Sequence, residues 1–228
     1  DYAHKIVAEN YIQHNPFIKS GRVGLVEVLE QLKQIPQEPA NTNNALWLMA
    51  EGNLLGTYLK VDFMGKKQVV IDLFRVEQDM IVEHWDAIQE VDVPTFVEIS
   101  TIPAITDDLQ IQDTTQNKSM IEAYLQNIWQ KQQYHLLDEF VSSNIAFYYP
   151  IIGNGLDELQ KYQQQISLQK VHCMIAEGNF VMTQCSVVIQ GEHQVLYMIY
   201  HIEKGKIVEM WSVSQAIPTQ MIHSNGMI

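Results

Sequence analysis

Two strand-like segments of this sequence carry acidic and imidazole side chains that could exchange a proton with a bound ligand. Asp72 stands in the first segment, and His84 and Asp86 stand at alternate positions of the second. His14, in a Gln-His-Asn-Pro run, is a fourth candidate. A carboxylate beside an imidazole on the floor of an apolar cavity suits general acid/base catalysis, because burial raises the pKa of an aspartate and lowers that of a histidine.

The turn between the two segments decides whether these side chains share a cavity. A three-residue loop at 77–79, with its third residue in the left-handed conformation, places Asp72 opposite His84. Asp86 then lies on the same face of the sheet. A two-residue loop would instead place Asp72 opposite Trp85. We expect the three-residue loop.

The elements that hold these residues occur twice. Ala-Glu-Gly-Asn occupies 50–53 and again 176–179, and the same offset gives 15 identities in the 40 positions from 50 to 89. About two or three identities would be expected by chance. We therefore interpret the chain as a tandem duplication, with a first unit, copy one, and a second unit, copy two.

The candidate residues are not retained in copy two. The positions that match Asp72, His84 and Asp86 are Met198, Met210 and Ser212. The position that matches His14 is Tyr148. Positions that are polar in copy one are mostly apolar in copy two, which predicts an open pocket in copy one and a filled core in copy two.

Each copy has helical patterns followed by strand patterns. Ser119 and Glu122 form a capping box before an apolar stripe, which predicts a helix, and a shorter helix is predicted near 136–140. The apolar stripe at 25–32 predicts another helix, echoed at 156–166. The predicted strands of copy one are 45–50, 54–63, 68–77 and 80–89. This order is typical of an α+β domain with helices across one face of a curved antiparallel sheet.

The predicted domain boundaries follow from the repeat. Copy one spans 1–93, a linker spans 94–116 and copy two spans 117–228. Pro and Asn residues at 36–43 indicate an exposed loop. Copy one is expected to lack the long first helix or to borrow one from a partner, because thirteen residues precede its His14 and about thirty precede the matching Tyr148.

Composition excludes several classes of function. The formal net charge of −13 disfavours a nucleic-acid partner, and the sequence has no apolar run long enough to cross a membrane. Cys173 and Cys185 are expected to be reduced thiols that fill core space, with one cross-strand disulfide between them as the alternative. The compartment stays open: the cytoplasm is slightly favoured, and an exported mature chain is the alternative.

The motifs around the candidate residues resemble a known family. Tyr-Ile-Gln-His14-Asn-Pro, Asp72-Leu-Phe-Arg-Val-Glu and Ile-Val-Glu-His84-Trp-Asp86 are similar to the SnoaL-like polyketide cyclase group of the nuclear-transport-factor-2-like (cystatin-like) superfamily. The resemblance covers most of copy one and, more weakly, copy two. It implies two tandem cystatin-like cone domains with a ligand cavity in the cone. It also implies a carboxylate that moves a proton on a carbon next to a carbonyl, with no metal or organic cofactor.

This resemblance suggests roles for the candidate residues. Asp72 is expected to be the catalytic base, with His84 orienting it or sharing its proton. The expected substrate-binding residues are His14, Asp86, Phe74 and Trp47. The ligand is expected to be small and apolar or to contain a carbonyl group, and the activity to be that of an isomerase, lyase or aldol-type cyclase. A non-catalytic ligand-binding or assembly module of the same fold is the alternative.

Other interpretations of the same residues are open. His14 can equally brace the turn into the next helix. The two histidines with Asp72 and Asp86 could form a metal site. No helix-spaced histidine pair or cysteine ligand supports that site, so no metal is predicted.

The second face of the sheet is also apolar and must be covered. Val69, Ile71, Leu73, Ile81 and Trp85 point away from the proposed cavity. In the family that the sequence resembles, these outer faces usually meet in a homodimer. A tandem chain can make the contact internally, so we expect the two copies to pack sheet to sheet as a pseudo-dimer, with further homo-oligomers left open.

Overall fold

The structure is a computed structural model that describes residues 2–34, 46–63, 65–92, 102–103, 105, 111–148 and 153–228. The predicted loop at 36–43 and most of the predicted linker at 94–116 lie outside these residues. The predicted domain boundaries therefore stay predictions.

Copy one is an α+β domain built on a five-stranded sheet. Its helices are α1 (Ala3–Ile6) and α2 (Arg22–Lys33), and its strands are β1 (Val7–Gln13), β2 (Leu46–Glu51), β3 (Leu54–Phe63), β4 (Lys66–Glu77) and β5 (Met80–Glu90). The strand order is β1-β5-β4-β3-β2, in which β2 to β5 are antiparallel. The four predicted strands and the helix at 25–32 are confirmed. Strand β1 was not predicted, and it adds to β5 in the parallel direction.

Copy two repeats this architecture and adds a long helix. Its helices are α3 (Ile111–Tyr124) with a π-helical continuation (Leu125–Gln130), a 3-10 turn (Tyr134–Leu136), α4 (Leu137–Phe140) and α5 (Leu156–Gln164). Its strands are β6 (Val141–Tyr148), β7 (Ile166–Glu177), β8 (Phe180–Ile189), β9 (Glu192–Glu203) and β10 (Lys206–Ala216), in the order β6-β10-β9-β8-β7. None of the described helices is both long and apolar enough to span a membrane.

Two details of the predicted helices of copy two are wrong. Ser119 lies inside α3 and not at its N-cap, because the helix begins at Ile111. The earlier turns are held by tertiary contacts, since Thr114 accepts a hydrogen bond from the Gly178 amide and Asn117 donates one to the Gly178 carbonyl. The helix predicted at 156–166 ends at Gln164, and residue 166 begins β7.

The two sheets pack against each other through their outer faces. Val69, Ile71 and Leu73 are each at most 1% exposed and belong to one apolar cluster with residues of copy two. The residues of copy two in this cluster include Ile175, Phe180, Met182, Val195, Tyr197, Ile199, Trp211 and Val213. The predicted sheet-to-sheet packing is therefore confirmed, and Trp85 packs against this cluster. Ile81 is not part of it, because the bulge pairs Ile81 with Val76 on the face of Asp72 and Phe74.

Hydrogen bonds across this interface come in matched pairs. The Ala50 amide donates to Glu177 (2.6 Å), and the Ala176 amide donates to Glu51 (2.8 Å). A second pair joins the Ile88 amide to Gln215 and the Ser214 amide to Gln89. Both pairs are related by the repeat offset, so the two copies meet about a pseudo-twofold axis, as two identical subunits would.

Both cysteines are free thiols, and Cys185 is buried while Cys173 is half-buried. Burial raises the pKa of Cys185 to about 12 and also raises that of Cys173, so little reactive thiolate is present at pH 8. We expect both native thiols to react with a disulfide reagent at least about 10-fold more slowly than the unfolded chain does. A Ser167→Cys variant, which places a thiol at an exposed position, is the fast-reacting control. Rapid labelling of native Cys185 would contradict this assignment.

Candidate active site

A tight hairpin turn sets the register of β4 and β5. Glu77 pairs with Met80, so the loop has two residues, Gln78 and Asp79. Both have left-handed backbone angles (φ 49° and 61°), as a type I′ turn requires. The predicted three-residue loop is therefore wrong, and the reason is that the first loop residue also adopts positive φ.

A bulge in β5 then restores the predicted face. Pairing shifts by one residue between Arg75 and Val76, and beyond it Asp72 lies opposite Asp86 and Phe74 opposite His84. The predicted pairing of Asp72 with His84 is wrong. Asp72, His84 and Asp86 nevertheless share one face of the sheet, because the bulge compensates for the shorter loop.

Asp72 and His84 are in direct contact on this face. His84 Nε2 lies 2.9 Å from Asp72 Oδ1, and the Thr57 hydroxyl donates to Asp72 Oδ2 at 3.0 Å. The side chains of Asp72 and His84 are 16% and 10% exposed. The pair is thus mostly buried but still reaches the solvent.

Gln13 fixes the tautomer of His84, and sequence reasoning missed this residue. Its Oε1 accepts a hydrogen bond from the Asn15 backbone amide (2.9 Å), so the carboxamide oxygen must also face His84 Nδ1, 3.0 Å away. The amide end donates to Tyr11. Nδ1 of His84 therefore carries a proton, and Nε2 is left to share a proton with Asp72. The alternation of side chains along β1 could have placed Gln13 on this face, had that strand been predicted.

We expect Gln13 to matter for stability as well as orientation. Gln13→Met should leave the His84 Nδ1–H and the Asn15 amide without acceptors in a fully buried place, costing about 2 to 4 kcal/mol of unfolding free energy. Urea melts measure this cost, and Gln31→Met on the exposed part of α2 is the matched control. Equal melts of the two variants would show that these hydrogen bonds contribute nothing.

Asp86 is the most buried acid of the group. It is 5% exposed, and Asn15 Nδ2 donates to its Oδ2 at 2.6 Å. Its Oδ1 is buried and accepts no hydrogen bond from the described residues. Burial raises the pKa of Asp86, and the charge of Asp72 adds to this effect, while His84 and Asn15 oppose it.

The structure does not bring His14 to this cluster. Its Nε2 lies 2.9 Å from Glu83 Oε1, its Nδ1 lies 2.9 Å from the Gly226 carbonyl, and its ring stacks on Trp85 at 4.8 Å. These partners lie on the opposite face of the sheet. The interpretation of His14 as a brace for the turn fits this environment better than substrate binding does.

The two predicted aromatic residues are separated as well. Phe74 stacks on His84, with ring centroids 4.6 Å apart, and so lines the site. Trp47 is 5% exposed, belongs to the interface cluster and makes an edge contact with Phe180. Its ring nitrogen donates to the Pro103 carbonyl. Trp47 is therefore a core residue of the pseudo-dimer and is not placed to contact a ligand at Asp72.

The C-terminal segment of the chain supports the site from outside. The Ile222 amide donates to Pro16, Asn225 Nδ2 donates to the Gln13 carbonyl, and His223 Nε2 lies 2.8 Å from the Asn15 carbonyl. This segment follows the last strand of copy two yet packs on the turn of copy one. The turn that presents Gln13 and Asn15 to the site is therefore held by both copies.

The matching positions of copy two form a closed core. Met198 and Met210 are fully buried, and Ser212 is 2% exposed. Helix α3 and its continuation supply the cover through Ile121, Tyr124, Leu125 and Ile128. In copy one, Leu48 lies in the same cross-strand row as Thr57 and Asp72, and it is 47% exposed. The described residues therefore fill the cone of copy two but leave part of the face in copy one accessible.

Comparison with known proteins finds structural similarity only. No protein-family model matches the chain, and neither does any curated protein. A SnoaL-like polyketide cyclase from Agrobacterium tumefaciens is 15% identical, with 43% of this chain and 91% of that chain covered and a TM-score of 0.37. An LEH-like epoxide hydrolase from M. tuberculosis is 17% identical over 45% and 84% of the two chains, with a TM-score of 0.36. An NTF2-like protein of unknown function from Cytophaga hutchinsonii is 18% identical over 43% and 89%, with a TM-score of 0.39. The solved structures to which this chain is similar thus include SnoaL-like and NTF2-like proteins.

Proposed function

We propose that copy one holds the active site of a small-molecule enzyme, an isomerase, lyase or aldol-type cyclase, with Asp72 as its base. The observation that carries the proposal is the 2.9 Å contact between Asp72 and a His84 ring whose tautomer is fixed by Gln13. A carboxylate held by an oriented imidazole at the edge of a partly open apolar face can accept a proton from a bound carbon acid.

The surroundings of Asp72 favour an apolar or carbonyl-containing ligand. Phe74 and Leu48 flank the carboxylate along and across the strands, and neither is fully buried. A ligand over this face would place a carbon next to its carbonyl group above the exposed edge of Asp72. The carboxylate would take the proton from that carbon, and the same proton would return to a different atom in an isomerisation.

Deuterium exchange tests this proposal without knowledge of the natural substrate. The full chain is incubated in D2O with a panel of cyclic and acyclic ketones, and incorporation of deuterium next to the carbonyl is followed by NMR. We expect the protein to accelerate exchange for at least one compound above the buffer rate, and Asp72→Asn to remove the acceleration. Asp79→Asn removes a charge of the same sign from the exposed hairpin turn, and this variant should retain the acceleration of exchange. Acceleration that survives Asp72→Asn would contradict the assignment of the base.

A non-catalytic binding module is the second candidate, and one observation favours it. Both oxygens of Asp72 already accept or share hydrogen bonds within the protein, with Thr57 and His84. A saturated carboxylate can serve to orient a ligand without moving a proton. Native mass spectrometry of the purified chain separates the two: a retained ligand that undergoes no exchange in D2O favours binding alone.

A further inference from the structure

The three side chains of the cluster are held in the same way. Each uses one polar atom for a supporting contact: Asp72 Oδ2 with Thr57, His84 Nδ1 with Gln13, and Asp86 Oδ2 with Asn15. Each therefore keeps a second polar atom outside its supporting contact, and two of these atoms, Asp72 Oδ1 and His84 Nε2, are 2.9 Å apart. These remaining atoms are Asp72 Oδ1, His84 Nε2 and Asp86 Oδ1.

One of the remaining atoms has no partner at all among the described residues. Asp86 is only 5% exposed. Its Oδ1 is inaccessible to solvent and accepts no hydrogen bond from the described residues. A buried carboxylate oxygen without a partner costs about 1 to 3 kcal/mol or more, so such atoms usually serve a ligand, an ion or a water molecule. Asp86 Oδ1 is thus an acceptor that a bound ion or water molecule would satisfy.

We propose that Asp72, His84 and Asp86 bind a divalent transition-metal ion. One donor atom from each residue lies within 4.8 Å of the other two. A metal ion about 2.0 to 2.2 Å from nitrogen and oxygen donors holds them roughly 3 to 4 Å apart, so small rotations of the side chains suffice. One imidazole and two carboxylates favour ions of the Mn²⁺ to Zn²⁺ series, and the nitrogen donor disfavours Mg²⁺ and Ca²⁺.

The supporting contacts are those of a ligand set. Metal-binding histidines usually donate their other ring N–H to a fixed acceptor, which orients the ring and leaves the second nitrogen for the metal. Gln13 provides that acceptor, and the Asn15 amide fixes the orientation of Gln13. Thr57 and Asn15 hold the outer oxygens of the two carboxylates in the same manner. Each of the three candidate ligands thus has a supporting partner that orients it, as the ligands of a metal site usually do.

Charge adds a further reason for a cation at this place. Asp72 and Asp86 lie directly opposite each other on adjacent strands, in a chain of net charge −13. Like charges in this arrangement repel, and a bound cation would offset the repulsion. Copy two, whose matching residues are Met198, Met210 and Ser212, lacks this donor set and provides an internal negative example.

The metal site can be tested independently of the proposed function. Metal ions are removed from the full chain with a chelator, which is then dialysed away. The chain is titrated with Co²⁺ and then Zn²⁺, and binding is followed by isothermal titration calorimetry and by visible absorption. We expect one ion per chain and a Co²⁺ spectrum that indicates nitrogen ligation. Asp86→Asn should weaken binding at least about 10-fold, and Gln13→Met should weaken it about 10- to 100-fold by loosening the His84 ring.

Asp79→Asn is the matched control, because it removes the same charge at an exposed position outside the cluster. It should bind Co²⁺ like the unaltered chain, and circular dichroism confirms that all variants fold. If Gln13→Met fails to fold, Thr57→Val tests the same idea through the support of Asp72. Absence of binding, or binding that Asp86→Asn and Asp72→Asn leave unchanged, would overturn the site.

The two proposals predict different results for the exchange assay. A bound ion would occupy Asp72 Oδ1 and His84 Nε2, the two atoms between which the proton is shared, so the stripped chain should be the form that exchanges deuterium. Binding of Co²⁺ without any exchange in either form would support the metal site and contradict the base. Exchange by the stripped chain without binding of Co²⁺ would do the reverse.

Discussion

Asp72→Asn should reduce ligand-dependent activity by about 10²- to 10⁴-fold while leaving the fold almost as stable as before. The substitution nearly preserves volume, and the carboxamide oxygen can still accept the hydrogen bond that Thr57 donates. It removes the group that we propose takes the proton. Activity and stability should therefore separate, which is the signature of a residue that does chemistry and does not hold the fold.

The measurement pairs the exchange rate in D2O with a thermal melt of each protein. A shift in the melting temperature of a few degrees or less, together with loss of exchange, is the expected result. Asp79→Asn controls for the change in net charge. If Asp72→Asn instead melts far below the unaltered chain, Asp72 is mainly structural, and its contact with His84 stabilises the sheet.

The core architecture could be predicted because it follows from periodicity and repetition. Alternating apolar residues located β2 to β5 within one or two residues of their observed ends. The apolar outer face of β4, with Val69, Ile71 and Leu73, predicted a second covering layer, and the structure supplies it from copy two. Burial of apolar area is a property of composition and spacing, so it can be inferred from the sequence alone.

The face of the sheet that Asp72, His84 and Asp86 share could be predicted, but the register of the hairpin could not. Sequence favoured a three-residue loop, and the chain uses two residues and a bulge. Both arrangements bring Asp72, His84 and Asp86 to one face, because they differ by two residues in register: Asp72 lies opposite His84 in the predicted pairing and opposite Asp86 in the observed one. The choice between them depends on whether Gln78 accepts a left-handed backbone, a conformation that is uncommon for a residue other than Gly, Asn or Asp.

The supporting residues of the site could not be predicted in the same way. Gln13 and Asn15 reach the cluster through parallel pairing of β1 with β5, which joins residues 71 positions apart. Their turn is further held by Asn225, which is 212 residues away from Gln13. Contacts over such separations leave no local pattern. The resemblance of its motif and its replacement by Tyr148 in copy two predicted His14 in the cavity, although its partners lie on the other face.

Copy two offers the opposite substitution, and Met198→Asp should destabilise the chain strongly. Met198 is fully buried, and helix α3 covers it on the cavity side. Thr183 and Ser212 lie directly opposite it on the neighbouring strands, so their hydroxyls could donate to a carboxylate there. Two hydrogen bonds to a carboxylate contribute about 1.5 to 3 kcal/mol each, whereas removing an ion from water costs several kcal/mol or more, and the packing of the Met198 side chain is lost as well. The net loss should be about 3 kcal/mol or more at pH 8.

The pH dependence of this loss identifies its cause. Burial without a positive partner raises the pKa of a carboxyl group, so the folded protein would hold the new group protonated over a wider range than the unfolded chain does. The cost should therefore grow as pH rises from 4 to 8. Met198→Leu keeps the volume and adds no charge, so it should cost less than about 1.5 kcal/mol at every pH. Urea melts of both variants across this range measure the difference. A Met198→Asp variant that melts like Met198→Leu at pH 8 would mean that the cone of copy two is open to water, and the catalytic half would then have been assigned to the wrong copy.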